Sequence, residues 1–342
     1  MSHELLATLW YLVVGFSIIA YTILDGFDLG VGILHLFARG DQNRRIFLNA
    51  IGPVWDGNEV WLVIVGGALF AGFPEAYATL FSGFYNLCMI LLAALIFRAC
   101  AIEFRSKGSS TQWRNFWDVI FFLGSLLIAF GVGLALGSLV EGIPLDANHD
   151  FVKAEFNLWR PYPILLGWTS VALVTMHGAI YLTMKTEGGL QRDLQRWCKR
   201  AIALFIFFYV VTTCATLLYM PHMLDRMREL PFLFGVSLFA LLAILNVPRE
   251  MKRRKFFRAF LSSSGGIALL ILLFGIGMFP DLIHSTIDPK NNSLTLMNAA
   301  SSSLTLRVLL IIVAIGIPLV LMYMSYIYRT FRGKVRLTSS SY

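Results

Sequence analysis

The sequence is short of charge. Only 14% of its 342 residues are Asp, Glu, Lys or Arg, against about 25% in soluble globular domains, so a globule of this size would lack a solvated surface. That excludes a large water-soluble catalytic domain. Cysteine is also sparse: Cys88, Cys100, Cys198 and Cys214 show no CxxC spacing, so neither a thiolate metal centre nor an exported disulfide framework is implied. Histidine is sparser than a haem protein of this length would want. Axial ligands must sit at suitable depth, yet His3, His149, His222 and His284 fall at the outer surface or in loops, His35 at a segment edge, and only His177 deep in an apolar run. A lone buried histidine reads first as a satisfied core group, so the chain is expected to hold no haem and no metal of its own. The alternating ten-residue pattern of a membrane β-barrel is missing as well. So is a basic n-region ahead of the first apolar run, which is therefore expected to be a mature helix rather than a cleavable signal.

What the sequence has is apolar length. It is 57% hydrophobic with a mean hydropathy of +0.71. At about 20 residues per crossing of the hydrocarbon layer, that composition leaves room for roughly nine helices with short loops. Nine runs are legible, at about 6–37, 50–73, 76–101, 116–140, 161–184, 199–220, 231–248, 257–280 and 304–328, bounded by prolines such as Pro74, Pro161 and Pro248 or by charged loops. The expected fold is an all-α integral membrane protein. The stretch 141–160 parts the first four helices from the rest, predicting two four-helix bundles plus one further helix, with a division at 1–145 and 146–342.

Retained cytoplasmic loops carry Lys and Arg, and most of the 28 basic residues obey that alternation. They gather after the first run (Arg39, Arg44, Arg45), around the end of the third (Arg98, Arg105, Lys107, Arg114), after the fifth and seventh, and in the tail (Arg329, Arg332, Lys334, Arg336). The N-terminus is thus expected outside and the C-terminus in the cytoplasm. An even number of helices would scramble the pattern. The net charge of +8 follows from topology and anionic lipid, not from nucleic-acid binding.

An ionisable group inside an apolar helix costs about 2.5 to 3.5 kcal/mol on insertion scales and calls for a reason. Asp25 and Asp28 in the first run, and Asp56 and Glu59 in the second, share an i, i+3 spacing that puts each pair on one helix face. With Asp118 in the fourth run they form a set of carboxylates at one cytoplasmic depth, suited to a proton inlet. A plainer reading stands beside this one. Asp56, Glu59 and Asp118 fall in first helical turns, where a carboxylate complements the helix dipole, with Asp56 expected to be enclosed by Trp55 and Trp61. Asp25 and Asp28 lie deeper and could pair with Arg98 or Arg39. The small-residue spacings Gly26/Gly30 and Gly133/Gly137, and the pair Gly66–Gly67, read as close helix packing rather than as a cofactor loop.

Several stretches in order resemble subunit II of the cytochrome bd quinol oxidases: Asp25-Gly26-Phe27-Asp28-Leu29-Gly30-Val31-Gly32, Pro53-Val54-Trp55-Asp56-Gly57-Asn58-Glu59-Val60-Trp61, Phe81-Ser82-Gly83-Phe84-Tyr85, Phe97-Arg98 with Glu103-Phe104-Arg105, Trp113-Arg114-Asn115-Phe116-Trp117-Asp118, Ile287-Asp288-Pro289 and Phe331-Arg332-Gly333-Lys334-Val335. The resemblance spans essentially the whole chain. It implies a heterodimer in the bacterial cytoplasmic membrane with a related subunit I, which holds haems b and d, oxidises quinol and reduces oxygen to water. It also implies a proton pathway at Asp56 with Glu59, Asp25 and Asp28 as neighbours, a role for Trp61 in lining oxygen access, and room for a small single-helix subunit and a structural quinone. Apart from the resemblance, a proton-coupled transporter would also bury carboxylates, but near the midplane and commonly in paired repeats. A purely structural scaffold for a haem subunit differs from the leading reading only in whether the acids conduct.

Overall fold

The structure is a computed structural model that describes residues 1–337. Long helices dominate: α1 (His3–His35), α2 (Asp41–Ile51), α3 (Trp55–Gly72), α4 (Pro74–Gly83), α5 (Tyr85–Phe104), α6 (Thr111–Glu141), α7 (Pro161–Lys185) and α8 (Gly188–Tyr219), then a short α9 (Asp225–Glu229), α10 (Phe234–Lys252), α11 (Phe256–Met278), a short α12 (Pro289–Asn292) and α13 (Ser303–Thr330). Among the described residues, eight helices are long and apolar enough to cross a membrane, and a ninth crossing follows if α2 and α3, bent by 50° at their junction, count as one span. The starts follow local chemistry. Ser2, Ser110 and Ser302 cap α1, α6 and α13 by accepting a backbone N–H of the first turn, and Pro74 and Pro161 occupy the first turns of α4 and α7, where a missing N–H costs nothing.

The apolar runs become helices, although α6 and α8 start five and eleven residues ahead of their runs, and three further differences stand out. The second run has an amphipathic forerunner, α2, whose Phe47, Leu48, Ala50 and Ile51 are buried while its polar residues face outward. The third run is two helices, since α4 ends at Gly83 and α5 starts at Tyr85. Pro248 does not end its run, because α10 continues through it to Lys252.

α1 is the hub. It packs on α3, α6, α7, α11 and α13, while α5 packs on α6, α8 on α7, and α10 on α11. The seam between the two halves of the chain runs along α1–α7 and α6–α7, and it closes through glycine. A Cβ on Gly30 would lie 1.9 Å from the Val174 carbonyl oxygen, and one on Gly178 would lie 2.5 Å from the carbonyl carbon of Gly30. Only hydrogen fits between these backbones. Gly133 and Gly137 meet α7 in the same manner, but Gly66 and Gly67 meet nothing within 4 Å and lie open on α3.

The end of the molecule that carries the N-terminus is roofed by the two longest loops. Strand β1 (Asp281–Ile283) pairs antiparallel with β2 (Leu294–Thr295), Ile143 bridges to Ser285, and Ser301 ties the roof to α3 by hydrogen bonds to Ala71 and Gly72. Beneath it lies an apolar cluster of Trp10, Phe73, Leu134, Ile143, Ile283 and Leu294. A second core at the opposite end is built on Phe27, Phe47, Phe121, Tyr181 and Phe205.

Candidate functional site

The charged interior lies between α1, α3 and α5. Arg98 is counted above with the flank of a basic loop. In the structure it lies within α5, six residues before the helix ends, and is wholly buried. Its Nη1 donates to Asp25 Oδ2 at 3.1 Å and its Nη2 donates to Asp25 Oδ1, a bidentate pair of the kind that planar guanidinium and carboxylate favour. The same Nη1 lies 3.7 Å from Glu59 Oε2. Arg39 takes no part in this cluster among the contacts recorded.

Asp28, one turn beyond Asp25, has no cation against it. Asn58 Nδ2 donates to its Oδ2 at 2.7 Å and also reaches the Leu24 carbonyl at 3.3 Å. The other end of that amide, Asn58 Oδ1, accepts the Tyr328 hydroxyl of α13 at 2.9 Å. Asp28 Oδ1 is buried with no hydrogen-bond partner. The cluster thus sets three buried or half-buried carboxyl groups around one guanidinium.

Asp118 stands apart. Ser110 starts α6 five residues earlier than the apolar run does, so Asp118 is the eighth residue of its helix and lies beyond the dipole-complementing first turn expected above. It is buried and saturated with donors: His35 Nε2 at 2.5 Å, Arg105 Nε at 2.5 Å and Arg44 Nη1 at 2.8 Å. Arg105 goes on to Asp41 at 2.7 Å and Arg114 meets the same carboxylate at 3.1 Å. This network clamps the ends of α1 and α5 to α2 and α6.

Asp56 is exposed, not enclosed. Trp55 and Trp61 turn inward, Trp61 edge-on to Phe16 of α1 at 5.7 Å, whereas Asp56 opens a stripe of exposed residues along α3 with Val60, Val63, Gly67 and Phe70. Glu59, with 19% of its side chain exposed, sits between this stripe and Arg98. The five carboxylates therefore divide into the cluster of Asp25, Asp28 and Glu59, the exposed Asp56, and the clamped Asp118.

His177 is fully engaged. Its Nδ1 pairs with Ser263 Oγ at 2.7 Å, its Nε2 with the Ile23 carbonyl at 3.1 Å, and Phe260 stacks on the ring at 4.7 Å. Neither nitrogen is free for an axial bond. At the roofed end, outside the spans, His222 stacks on His284 with ring centres 4.7 Å apart and meets the Val140 carbonyl at 2.9 Å. Burial first, and the neighbouring imidazole second, hold His222 below the usual histidine range.

Sequence reasoning missed Asn58, Tyr328, His35, Arg44 and Arg105 as members of these groups. Asn58 was within sight, one residue before Glu59. Tyr328 had no local signal, since 270 positions separate it from Asn58.

A profile of the cytochrome bd terminal oxidase subunit II family matches residues 6–331. Cytochrome bd-I ubiquinol oxidase subunit 2 of Escherichia coli (strain K12) is 34% identical, over 98% of this chain and 96% of that protein. Cytochrome bd ubiquinol oxidase subunit 2 of Bacillus subtilis (strain 168) is 33% identical over 96% of each. A chain in the structure of the bd oxidase from Geobacillus thermodenitrificans shares the fold, with a TM-score of 0.77 at 18% identity over 95% of this chain and 98% of that one.

Proposed function

This chain belongs to the cytochrome bd terminal oxidase subunit II family, and from that membership we propose that it serves a quinol:oxygen oxidoreductase by docking a haem-bearing subunit I and carrying cytoplasmic protons toward the oxygen-reducing site. It is a multi-pass protein of the bacterial cytoplasmic membrane. Haems b and d and the quinol site are assigned to subunit I, and the engagement of His177 on both nitrogens supports that assignment. The haems would supply the redox chemistry there. Each electron delivered to oxygen requires a proton, and this chain's residues bear on that supply.

The observation that carries the reading is the step from buried to exposed carboxyl groups: Asp25 on Arg98, Glu59 3.7 Å from the same guanidinium, and Asp56 three residues away on the outer stripe of α3. A carboxylate on a stripe of valine, glycine and phenylalanine is costly if it faces lipid. A partner subunit covering the stripe removes that cost and receives the proton. The open Gly66–Gly67 pair gives the partner helix a close approach. In this reading Asp118 anchors the cytoplasmic ends, while Trp61, packed between α1 and α3, lines the proposed oxygen access. The division at 1–145 and 146–342 places every conducting acid in the first bundle.

The test is Asp56→Asn in the intact complex. Asp56 makes no recorded contact within this chain, so its loss leaves the helix packing alone. Quinol-driven oxygen consumption should fall about a hundredfold, at the low end of what a proton-transfer group contributes, with haem content and subunit stoichiometry retained. Wild-type turnover with normal proton uptake would sink the reading.

A further inference from the structure

The C-terminal segment does more than end α13. Val335 N–H donates to the Lys185 carbonyl at 2.9 Å, Lys334 Nζ donates to the carbonyls of Met184 and Thr186 at 2.8 and 2.7 Å, and Lys185 Nζ returns a bond to the Phe331 carbonyl at 2.7 Å. The last carbonyls of α7 are thereby satisfied by a strap that crosses the cytoplasmic end of the helix. Under the strap lies a cavity of about 360 Å³. Lys185, Arg332, Lys334 and Arg336 line it with no acidic side chain among the described residues, and Tyr181 and Tyr328 also contribute to its wall.

Tyr328 joins this cavity to the buried carboxylates. Its hydroxyl holds Asn58 Oδ1 at 2.9 Å, which turns Asn58 Nδ2 onto Asp28 Oδ2 at 2.7 Å and leaves Asp28 Oδ1 without a partner. An amide passes no proton itself, but it fixes which carboxylate oxygen is open. The geometry points to the cavity beneath the strap as the cytoplasmic vestibule through which water reaches Asp28, with Tyr328 as the positioning residue that keeps Asp28 Oδ1 free to accept the proton. This deepens the proton-conducting reading and rests on it. In the step itself an O–H bond of a buffer acid in the vestibule breaks, water relays the proton inward past Tyr328, and an O–H bond to Asp28 Oδ1 forms, while the buffer leaves as its conjugate base. The charged side chains of the described lining are all positive, which repels hydronium and draws in anionic buffer, so a weak-acid anion such as dihydrogen phosphate is the donor that refills the vestibule.

The test compares three variants of the assembled oxidase. Asp28→Asn asks whether Asp28 conducts. Tyr328→Phe keeps the ring and removes the hydroxyl. Thr330→Cys places a thiol on the vestibule wall for a charged methanethiosulfonate reagent applied from the cytoplasmic side. Asp28→Asn should lower kcat about a hundredfold and Tyr328→Phe, which only positions the acid, should lower it less, both with quinol KM unchanged and with the loss growing as pH rises and protons become scarce. Thr330→Cys should slow only after modification. If Asp28→Asn is slow while Tyr328→Phe keeps the wild-type pH profile, or while labelled Thr330→Cys keeps its turnover, the vestibule is overturned and the proton-conducting reading survives. Wild-type turnover in Asp28→Asn overturns the vestibule, and the proton-conducting reading then stands or falls with Asp56→Asn. Should Tyr328→Phe fail to incorporate haem, the labelled Thr330→Cys decides: slowed turnover supports the vestibule and unchanged turnover rejects it.

Discussion

Replacing Arg98 should damage the protein more than replacing the acid it binds. Both side chains of the Arg98–Asp25 pair are wholly buried, so removing either leaves a charge or a polar group with no water to turn to. Arg98→Met strands Asp25 and takes from Glu59 the cation that lies 3.7 Å away. Breaking a buried pair in this way costs about 3 to 5 kcal/mol. Asp25→Asn is milder for two structural reasons. The amide oxygen still accepts one guanidinium N–H, and Glu59 stands ready as a substitute counter-ion. The remaining loss resembles that of a single charge-assisted hydrogen bond, about 1.5 to 3 kcal/mol. The double variant Arg98→Met/Asp25→Leu removes both charges and should recover most of what Arg98→Met loses, because well-packed apolar replacements of a buried pair are often neutral or better. The assay is the thermal midpoint of the detergent-solubilised complex, followed by size-exclusion fluorescence with the haem spectrum as a check on assembly. Equal losses in the two single variants, or a double variant no better than Arg98→Met, would refute the charge accounting.

Two further outcomes can be checked independently. Gly30→Ala must move a Cβ that would otherwise lie 1.9 Å from the Val174 carbonyl oxygen, whereas Gly66→Ala meets nothing within this chain; overpacking of about 1 to 3 kcal/mol should appear in the thermal midpoint of the first, and the second should match wild type when the subunit is measured alone. At the roofed end, burial and His284 hold His222 below its ordinary range. The unfolded chain then binds a proton that the folded chain resists, so stability present above about pH 6.5 is lost as the pH falls through that value. Hydrogen-exchange protection around residues 221–224, corrected for the pH dependence of the intrinsic exchange rate, should therefore fall on acidification in wild type and much less in His222→Gln, and an identical fall in both would count against this origin.

The spans were legible because continuous apolar length is a local property, and Asp25, Asp28, Asp56, Glu59 and Asp118 stood out because a charge in such a run is conspicuous. Partnership was less legible. The sequence grouped the five acids by depth, but helix rotation separates them: Asp56 looks outward, Glu59 partly inward, and Asp118 toward His35 and two arginines. Rotation depends on which face meets α1, and no single run contains that information. The same limit hid Arg98 and Arg105. Counting basic residues near a loop reports orientation well, yet it cannot distinguish a solvated arginine from one drawn back into the helix by a carboxylate on another segment. Asn58 and Tyr328 carry no net charge and sit far apart in the chain, so only the packing of α13 against α3 joins them.

The apolar stretches above the carboxylate cluster have an electrical consequence. From Leu5 to Leu24 in α1, Val60 to Gly72 in α3, Tyr85 to Phe97 in α5 and Val119 to Val140 in α6 there is no Asp, Glu, Lys, Arg or His. These segments form a dry dielectric layer over the first half of the chain, and most of the membrane potential falls across that layer rather than across the acids. A charge crossing a full drop of 100 mV exchanges about 2.3 kcal/mol with the field. On the proposed route, a proton that travels only between the cytoplasm and the Arg98 cluster would traverse little of that drop, so its arrival would be nearly independent of voltage. The layer also acts as insulation on the proposed route, because outward of Asp28 these stretches offer a proton no carboxylate, imidazole or amine to rest on.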